Sequence, residues 1–190
     1  MYYNKFSLSP VRNKVYFGMD EDIFATERNG HLLRDTFDKS SNSLDIRSNG
    51  LYPANVLSNL AHNEFEIDGV KCASIEGFLQ SLKIEDEDKQ KEVCSMYGGT
   101  AKKTGQKFDA WKINNTLYWK GRKIDRTSSE FYDLVLAAYK ACYEQNSVFK
   151  TALDSTKGKK LTHNSGREEP SETVLTKEEF ISFLNNLREN

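Results

Sequence analysis

Residues 57–83 read LSNLAHNEFEIDGVKCASIEGFLQSLK, and this stretch decides the fold. Phe65 and Ile67 alternate with polar residues, and the pair Asp68-Gly69 is typical of a two-residue turn. After the turn, Val70 and Cys72 resume the alternation. The pattern predicts a β-hairpin over residues 64–72, with one face turned to a core.

A helix follows the hairpin. Ser74 is suited to cap its N-terminus, and the apolar spacing from residue 75 to residue 82 is helical. Glu76 and Gln80 share one face of this helix, and Lys83 lies one step further along. Two interpretations of Glu76 stay open from the pattern alone: a carboxylate that only interacts favourably with the helix dipole, or one that lines a cleft.

The chain after residue 83 is predicted to be mainly helical. The surest helix starts at a Thr127–Glu130 capping pair and runs through Cys142, and the last helix starts at a Thr176–Glu179 pair in the same spacing. Shorter helices are predicted around Val93–Tyr97, ending near Gly98-Gly99, around Lys102-Lys103 before Gly105, and around Phe149–Leu153. The fold class expected is therefore α+β, a mainly helical single domain with a small N-terminal β-hairpin or sheet.

The front of the chain looks different. Residues 1–56 hold short apolar runs such as Lys14–Phe17, and residues 35–50 are rich in Ser, Asn and Asp, which predicts a long loop. We expect residues 1–56 to form an extension packed on a domain of residues 57–190. The loop is interpreted either as a cover over the cleft or as a surface excursion.

Composition limits the class of protein. The chain has 190 residues and a formal net charge of −1, which argues against binding along a long nucleic-acid backbone. No apolar run is long enough for a membrane span, and the N-terminus lacks a secretory signal. Three isolated cysteines are typical of buried, reduced thiols. We therefore expect a cytoplasmic protein with no membrane partner.

Common site signatures are missing from the sequence. There is no CxxC pair, HExxH helix, GxGxxG loop or phosphate-binding P-loop, and the three histidines share no ligand spacing. The expectation is a protein without metal or other cofactor.

Residues 57–83 resemble the NADAR family of N-glycosidases. The family signature is a Ser-Asn motif, a hairpin with an Asp-Gly turn, and a helix that carries Ser, Glu, Gln and Lys. The matching residues here are Ser58, Asn59, Asp68, Gly69, Ser74, Glu76, Gln80 and Lys83. Weaker similarity extends over residues 51–190, including Ala101, Gly105 and Trp119.

The resemblance implies hydrolysis of a ribosyl–base bond, with Glu76 as the catalytic carboxylate. It implies ligand binding by a set of further residues: Ser58, Asn59, Gln80, Lys83, Gly105, Trp119 and Arg122. Lys102 and Lys103 are additional candidates for phosphate contacts, and Trp119 is interpreted either as a base-stacking or as a core residue.

The chain departs from the family pattern at three places, the first of which is Gly105-Gln106, where the family has a glycine-arginine pair. Gly77 stands where the family has histidine, and the late loop, from His163 to Glu169, lacks the family's acidic residue and Trp-Gly pair. Glu168 or Glu169 is a possible second acid, or either is an exposed loop carboxylate.

Three functions remain open at this point. The first is removal of ADP-ribose from ADP-ribosylated guanine, in a nucleic acid or a nucleotide. The second is hydrolysis of ribosylaminopyrimidine phosphates of the riboflavin pathway. The third is a non-catalytic module that binds ADP-ribose or a derivative of NAD. The expected partner in each is an ADP-ribose-type or ribosyl-phosphate ligand, in the first on a modified base, and the sequence does not indicate the oligomeric state.

Overall fold

A computed structural model of the chain describes residues 42–189 and the backbone of two strands, β1 (Ile23–Arg28) and β2 (His31–Thr36). These two strands pair antiparallel, and they belong to a separate unit of residues 1–41. The apolar run Lys14–Phe17 lies outside the described residues. That residues 1–56 pack on the domain stays a prediction.

The main unit begins at Asn42, before the predicted boundary at residue 57. Its strands are β3 (Ser43–Asp45), β4 (Phe65–Ile67), β5 (Val70–Cys72), β6 (Thr116–Trp119), β7 (Arg122–Asp125) and β8 (Lys160–Thr162). Its helices are α1 (Ala54–Leu57), α2 (Ile75–Ser81), α3 (Glu87–Cys94), α4 (Gly98–Gly105), α5 (Trp111–Asn114), α6 (Ser129–Gln145), α7 (Ser147–Asp154) and α8 (Lys177–Glu189).

The strands form only two-stranded sheets in the part of the chain that is described. β4 and β5 pair antiparallel, as do β6 and β7, whereas β3 and β8 pair parallel across more than a hundred residues. Helices dominate the rest, so the predicted α+β class is confirmed.

The core lies where α2 and α6 meet. α6 also packs on β4, α7 and α8, and its buried face carries Phe131, Val135 and Tyr139. Phe78 on α2 is fully buried and meets the Trp119 ring edge-on, with the ring centres 5.2 Å apart. The apolar stripes predicted from the sequence therefore form one continuous core.

Several local predictions are confirmed. The hairpin turns at Asp68-Gly69, with both residues at positive φ. Ser74 caps α2 by accepting a hydrogen bond from the backbone N–H of Gly77. Thr176 and Glu179 form a reciprocal capping box at the start of α8.

Other local predictions are wrong. The cap of α6 is Ser128, because Asp125 holds the Thr127 side chain instead. The helix expected to end near Gly98-Gly99 already ends at Cys94, and Gly98, at a φ of +61°, starts α4. The polar stretch of residues 35–50 is not one loop, since it holds β3.

The expectations about the cysteines and about membrane-spanning helices can also be compared with the structure. Cys72, Cys94 and Cys142 are all buried and unbridged, as predicted. Among the described residues, no helix combines the length and apolarity needed to cross a lipid bilayer.

Candidate functional site

A cleft of about 560 Å³ opens on the main unit. Its floor is formed by residues 58–60, by the face of α2 that carries Glu76 and Gln80, and by Lys83 in the turn after α2. One wall comes from α4 and α5, and the other from residues 47–49 and 163–180. The volume lies in the range of pockets that bury a whole small-molecule ligand.

The hairpin and the helix cap fix the start of α2 at this floor. The Ser74 hydroxyl donates to the Met96 carbonyl while it accepts from the backbone of Gly77. The backbone N–H of Glu76, which no helix carbonyl can satisfy, donates to the Asn59 carbonyl at 2.8 Å. The two motifs singled out in the sequence, Ser58-Asn59 and the α2 face, are therefore joined directly.

Gly77 explains one departure from the family pattern. A Cβ at this position would lie 2.4 Å from the backbone oxygen of Met96. The connection between α3 and α4 thus passes too close to α2 for any side chain at residue 77.

The Glu76 carboxylate is partly buried at the floor, and Gln80 donates from Nε2 to its Oε1 at 3.0 Å. Burial raises the pKa of Glu76 above that of an ordinary glutamate, while the Gln80 hydrogen bond and the charges of Lys102 and Lys83 oppose the rise. A carboxylate with a raised pKa is a stronger base once it is ionised, which suits it to accept a proton from water.

Lys83 lies in the turn directly after α2, and only 7% of its side chain is exposed. Its Nζ donates to the Gly105 carbonyl at 3.4 Å and lies 3.8 Å from Asp109 Oδ1. Burial lowers the pKa of Lys83, whereas the neighbouring Asp109 and Glu76 raise it.

The side chain of Asn59 is fixed by a hydrogen bond from the core. The buried Tyr139 hydroxyl donates to Asn59 Oδ1 at 2.6 Å, so the Asn59 amide nitrogen points elsewhere and can donate to a ligand. Ser58 lies beside it at the floor, with its Oγ 3.4 Å from the Leu60 nitrogen.

His163 lines the opposite wall. Its Nδ1 lies 2.7 Å from the Ile46 carbonyl oxygen, and because a carbonyl only accepts, Nδ1 carries the proton. Phe180 meets the ring edge-on, with the ring centres 5.0 Å apart. Within residues 42–189, Nε2 has no hydrogen-bond partner, so it is available to a ligand in the cleft.

Cations outnumber carboxylates around the cleft in the described part of the chain. The lining carries the side chains of Arg47, Lys83, Lys102, Lys112 and Arg167 against those of Glu76, Asp109 and Glu172. This excess favours an anionic ligand, even though the whole chain is almost neutral.

The structure brings five of the predicted site residues to the cleft: Glu76, Ser58, Asn59, Gln80 and Lys83. It does not bring Trp119 or Arg122 there. Trp119 is fully buried in the core, with its Nε1 donating to Asp68 Oδ2, and Arg122 pairs with Glu130 on the surface. Gly105 packs behind Gln80 and is not part of the lining.

The possible second acids also lie elsewhere. Glu168 and Glu169 are exposed and do not line the cleft, and Glu168 pairs with Lys177. Lys102 lines the cleft, whereas its neighbour Lys103 is exposed and outside it.

Sequence reasoning missed several lining residues. Trp111, Lys112 and Asp109 precede a hairpin that was not predicted, and Arg47 follows a strand whose partner is remote. The sequence hinted at this wall only through the Trp111-Lys112 pair close to several lysines. Such a pair matches no known binding motif.

Comparison with known proteins places these features in a family. Residues 51–189 match the family of bacteriophage protein GP30.3. An uncharacterized 17.1 kDa protein from the Gp30-rIII intergenic region of Enterobacteria phage T4 is 36% identical over 149 residues, covering 77% of this chain and 97% of the phage protein. The NMR structure of the E. coli protein YbiA superimposes with a TM-score of 0.54 at 19% identity, over 78% of this chain and 84% of YbiA.

Proposed function

The chain belongs to the family of bacteriophage protein GP30.3, a NADAR family, and on that premise we propose that it hydrolyses the N-glycosidic bond between a ribosyl unit and a nucleobase. The substrate that we propose is ADP-ribosylated guanine. The phage T4 relative is itself uncharacterized, so the activity is inferred from the site.

One observation carries the proposal. A partly buried carboxylate with a raised pKa, Glu76, lies at the floor of a cleft whose rim is basic. Breaking a ribosyl–base bond develops positive charge at C1′, and a carboxylate already fixed beside that carbon stabilises the charge without reorganisation.

The reaction begins when the bond between C1′ and the base nitrogen breaks and its electron pair moves to the base. The departing base needs a proton, and we assign its delivery to His163 Nε2, while Nδ1–H stays bonded to the Ile46 carbonyl. In this proposal His163 is the second acid, a role for which Glu168 and Glu169 were possible candidates from the sequence.

Water completes the reaction. Glu76 accepts a proton from the water molecule as its oxygen attacks C1′, and Gln80 orients the carboxylate through its 3.0 Å hydrogen bond. One hydrogen of the water ends on the sugar hydroxyl. The other, through Glu76 and exchange with solvent, restores the proton that His163 gave to the base.

The basic rim favours ADP-ribose over a simple ribosyl phosphate. The diphosphate of ADP-ribose spreads its negative charge over two phosphate groups, and both walls supply cations: Lys102 and Lys112 on one, Arg47 and Arg167 on the other. The volume of about 560 Å³ also leaves room for more than a ribosyl phosphate.

The test incubates the purified protein, with a chelator present, with an ADP-ribosylated guanine oligonucleotide and separately with ribosylaminouracil phosphate. Mass spectrometry then measures released base and ribosyl product. Release of ADP-ribose, with unmodified guanine left in the oligonucleotide, by the wild-type protein and not by E76Q supports the proposal. Cleavage of only the pyrimidine compound reassigns the substrate, and tight ADP-ribose binding without any cleavage indicates a binding module.

A further inference from the structure

Two buried donors lie together at the α5 end of the cleft. Trp111 is 3% exposed, and the Nζ atom of Lys83 lies 6.0 Å from the centre of its ring. The buried Nε1 of Trp111 has no hydrogen-bond partner among the described residues. Buried N–H groups in proteins are nearly always bonded, so this one calls for an explanation.

The second tryptophan of the chain, Trp119, shows how a buried indole N–H is normally satisfied in this fold. Trp119 is just as buried, and its Nε1 donates to Asp68 Oδ2 at 2.7 Å. The two tryptophans differ in their position: Trp111 lines the cleft and Trp119 does not. An absent partner beside a cleft is what a bound ligand would supply.

Lys83 is also incompletely bonded. An ammonium group has three donors, and the contacts of this one are long, at 3.4 Å to the Gly105 carbonyl and 3.8 Å to Asp109. Asp109 is half exposed and shares its carboxylate with Lys112, 3.3 Å from Oδ2. Lys102 and Lys112 add further positive charge on this wall.

We propose that Lys83 and Trp111 form a phosphate subsite, in which one phosphate oxygen of the ligand accepts from Trp111 Nε1 and from Lys83 Nζ. That the phosphate is joined to a ribosyl unit rests on the proposed function. Glu76 lies in the first turn of α2 and Lys83 in the turn that follows this helix, and seven residues at the helical rise separate the two by about 10 Å. A ribose with C1′ at Glu76 and its 5′-diphosphate directed toward Lys83 spans this separation.

The chain offers a direct test because it contains only two tryptophans, Trp111 and Trp119. W119F leaves Trp111 as the single indole reporter, and W111F leaves Trp119. Each variant is titrated with inorganic pyrophosphate and with ADP-ribose, and adenosine serves as the phosphate-free control. We expect pyrophosphate and ADP-ribose to shift the emission of Trp111 in W119F and, at concentrations that saturate the weaker variant, to leave that of Trp119 in W111F unchanged.

Affinities give the second measurement. Removing a donor to a charged phosphate weakens binding about tenfold or more, so K83M and W111F should each raise the Kd for pyrophosphate by at least that factor. K120M is the matched control, since Lys120 donates to the Asp68 carbonyl away from the cleft. Equal Kd values for wild type, K83M and W111F would overturn the subsite.

The two proposals fail separately. Pyrophosphate binding that depends on Lys83 and Trp111, without hydrolysis of any ribosyl compound, would refute the glycosidase and keep the subsite. Hydrolysis of ADP-ribosylated guanine with an unchanged KM in W111F and K83M would support the glycosidase and refute the subsite.

Discussion

Gly105 lies directly against Gln80: a Cβ built on the glycine would fall 2.0 Å from Gln80 Oε1 and 2.5 Å from its Cβ. Helix α4 therefore presses on the amide that holds the Glu76 carboxylate. The glycine that the family resemblance assigned to ligand binding has a different role here, since it leaves the space in which Gln80 reaches Glu76.

The first prediction is that G105A lowers kcat by about tenfold to a hundredfold, because the displaced Gln80 no longer orients Glu76. Steady-state kinetics and thermal melting measure the effect. G99A is the matched control, as Gly99 belongs to the same helix and a Cβ there meets nothing within 4 Å. If both variants keep wild-type kcat, Gly105 does not position the site.

The second prediction separates catalysis from stability at Glu76. E76Q should lose turnover while its melting temperature stays equal or rises, because burial disfavours the charged carboxylate. A folded-state pKa above the unfolded value means that wild-type stability falls as pH rises through that pKa, so the advantage of E76Q should grow with pH. A large loss of stability in E76Q would instead assign Glu76 a structural role.

The third prediction concerns the pH dependence of the rate. Glu76 must be ionised to accept a proton, and its pKa is raised, so the acid limb of the kcat/KM profile should lie above the range of an ordinary glutamate. Lys102 lowers that pKa, and K102M should therefore move the limb to still higher pH. K103M, an exposed neighbour outside the cleft, should leave the profile unchanged.

The sequence predicted the floor of the cleft and, apart from Lys102, not its walls. The hairpin at residues 65–72, its turn and α2 follow from local periodicity and capping, and these elements place Glu76, whereas Ser58 and Asn59 were implied by the family resemblance. The walls depend on contacts remote in sequence: β3 pairs with β8, and Arg47 and His163 meet the cleft only through that pairing. Such pairings leave no local pattern in a single sequence.

The hairpin of β6 and β7 was missed for a different reason. Its turn is Lys120-Gly121, with Lys120 at a φ of +49°, a conformation that Asn or Asp adopts far more often than lysine. Without that signal, the base-stacking and the core interpretation of Trp119 both stayed open, and the structure supports the core one. An aromatic residue next to a weak turn signal therefore says little about a binding site.

The fourth prediction tests how one wall is attached. Arg126 is 2% exposed and makes a bidentate pair with Glu179, at 3.0 and 2.6 Å, and Glu179 also closes the capping box of α8. R126M leaves that carboxylate without its partner and should cost about 3–5 kcal/mol in the free energy of unfolding.

Chemical denaturation measures this cost. R122M is the control, because the exposed Arg122–Glu130 pair contributes about 0–1 kcal/mol. Burial alone would raise the pKa of Glu179, but Arg126 and Thr176 hold it below the ordinary value, so the contribution should be lost as pH falls through that lowered pKa. Similar costs for R126M and R122M would contradict the role given to the buried pair.

The last prediction concerns His163, the residue proposed to protonate the leaving base. H163Q should lower kcat on ADP-ribosylated guanine by about a hundredfold or more, with a smaller change in KM, since general acid catalysis contributes about 10²–10⁴ to a rate. H163A should regain part of the lost rate when free imidazole is added, which a purely structural role would not produce. His62 supplies the control, because it is exposed beside Glu64 and does not line the cleft, so H62Q should keep the wild-type rate. If the wild-type protein hydrolyses the substrate and H163Q keeps full activity, His163 is not the general acid. The base would then take its proton from solvent.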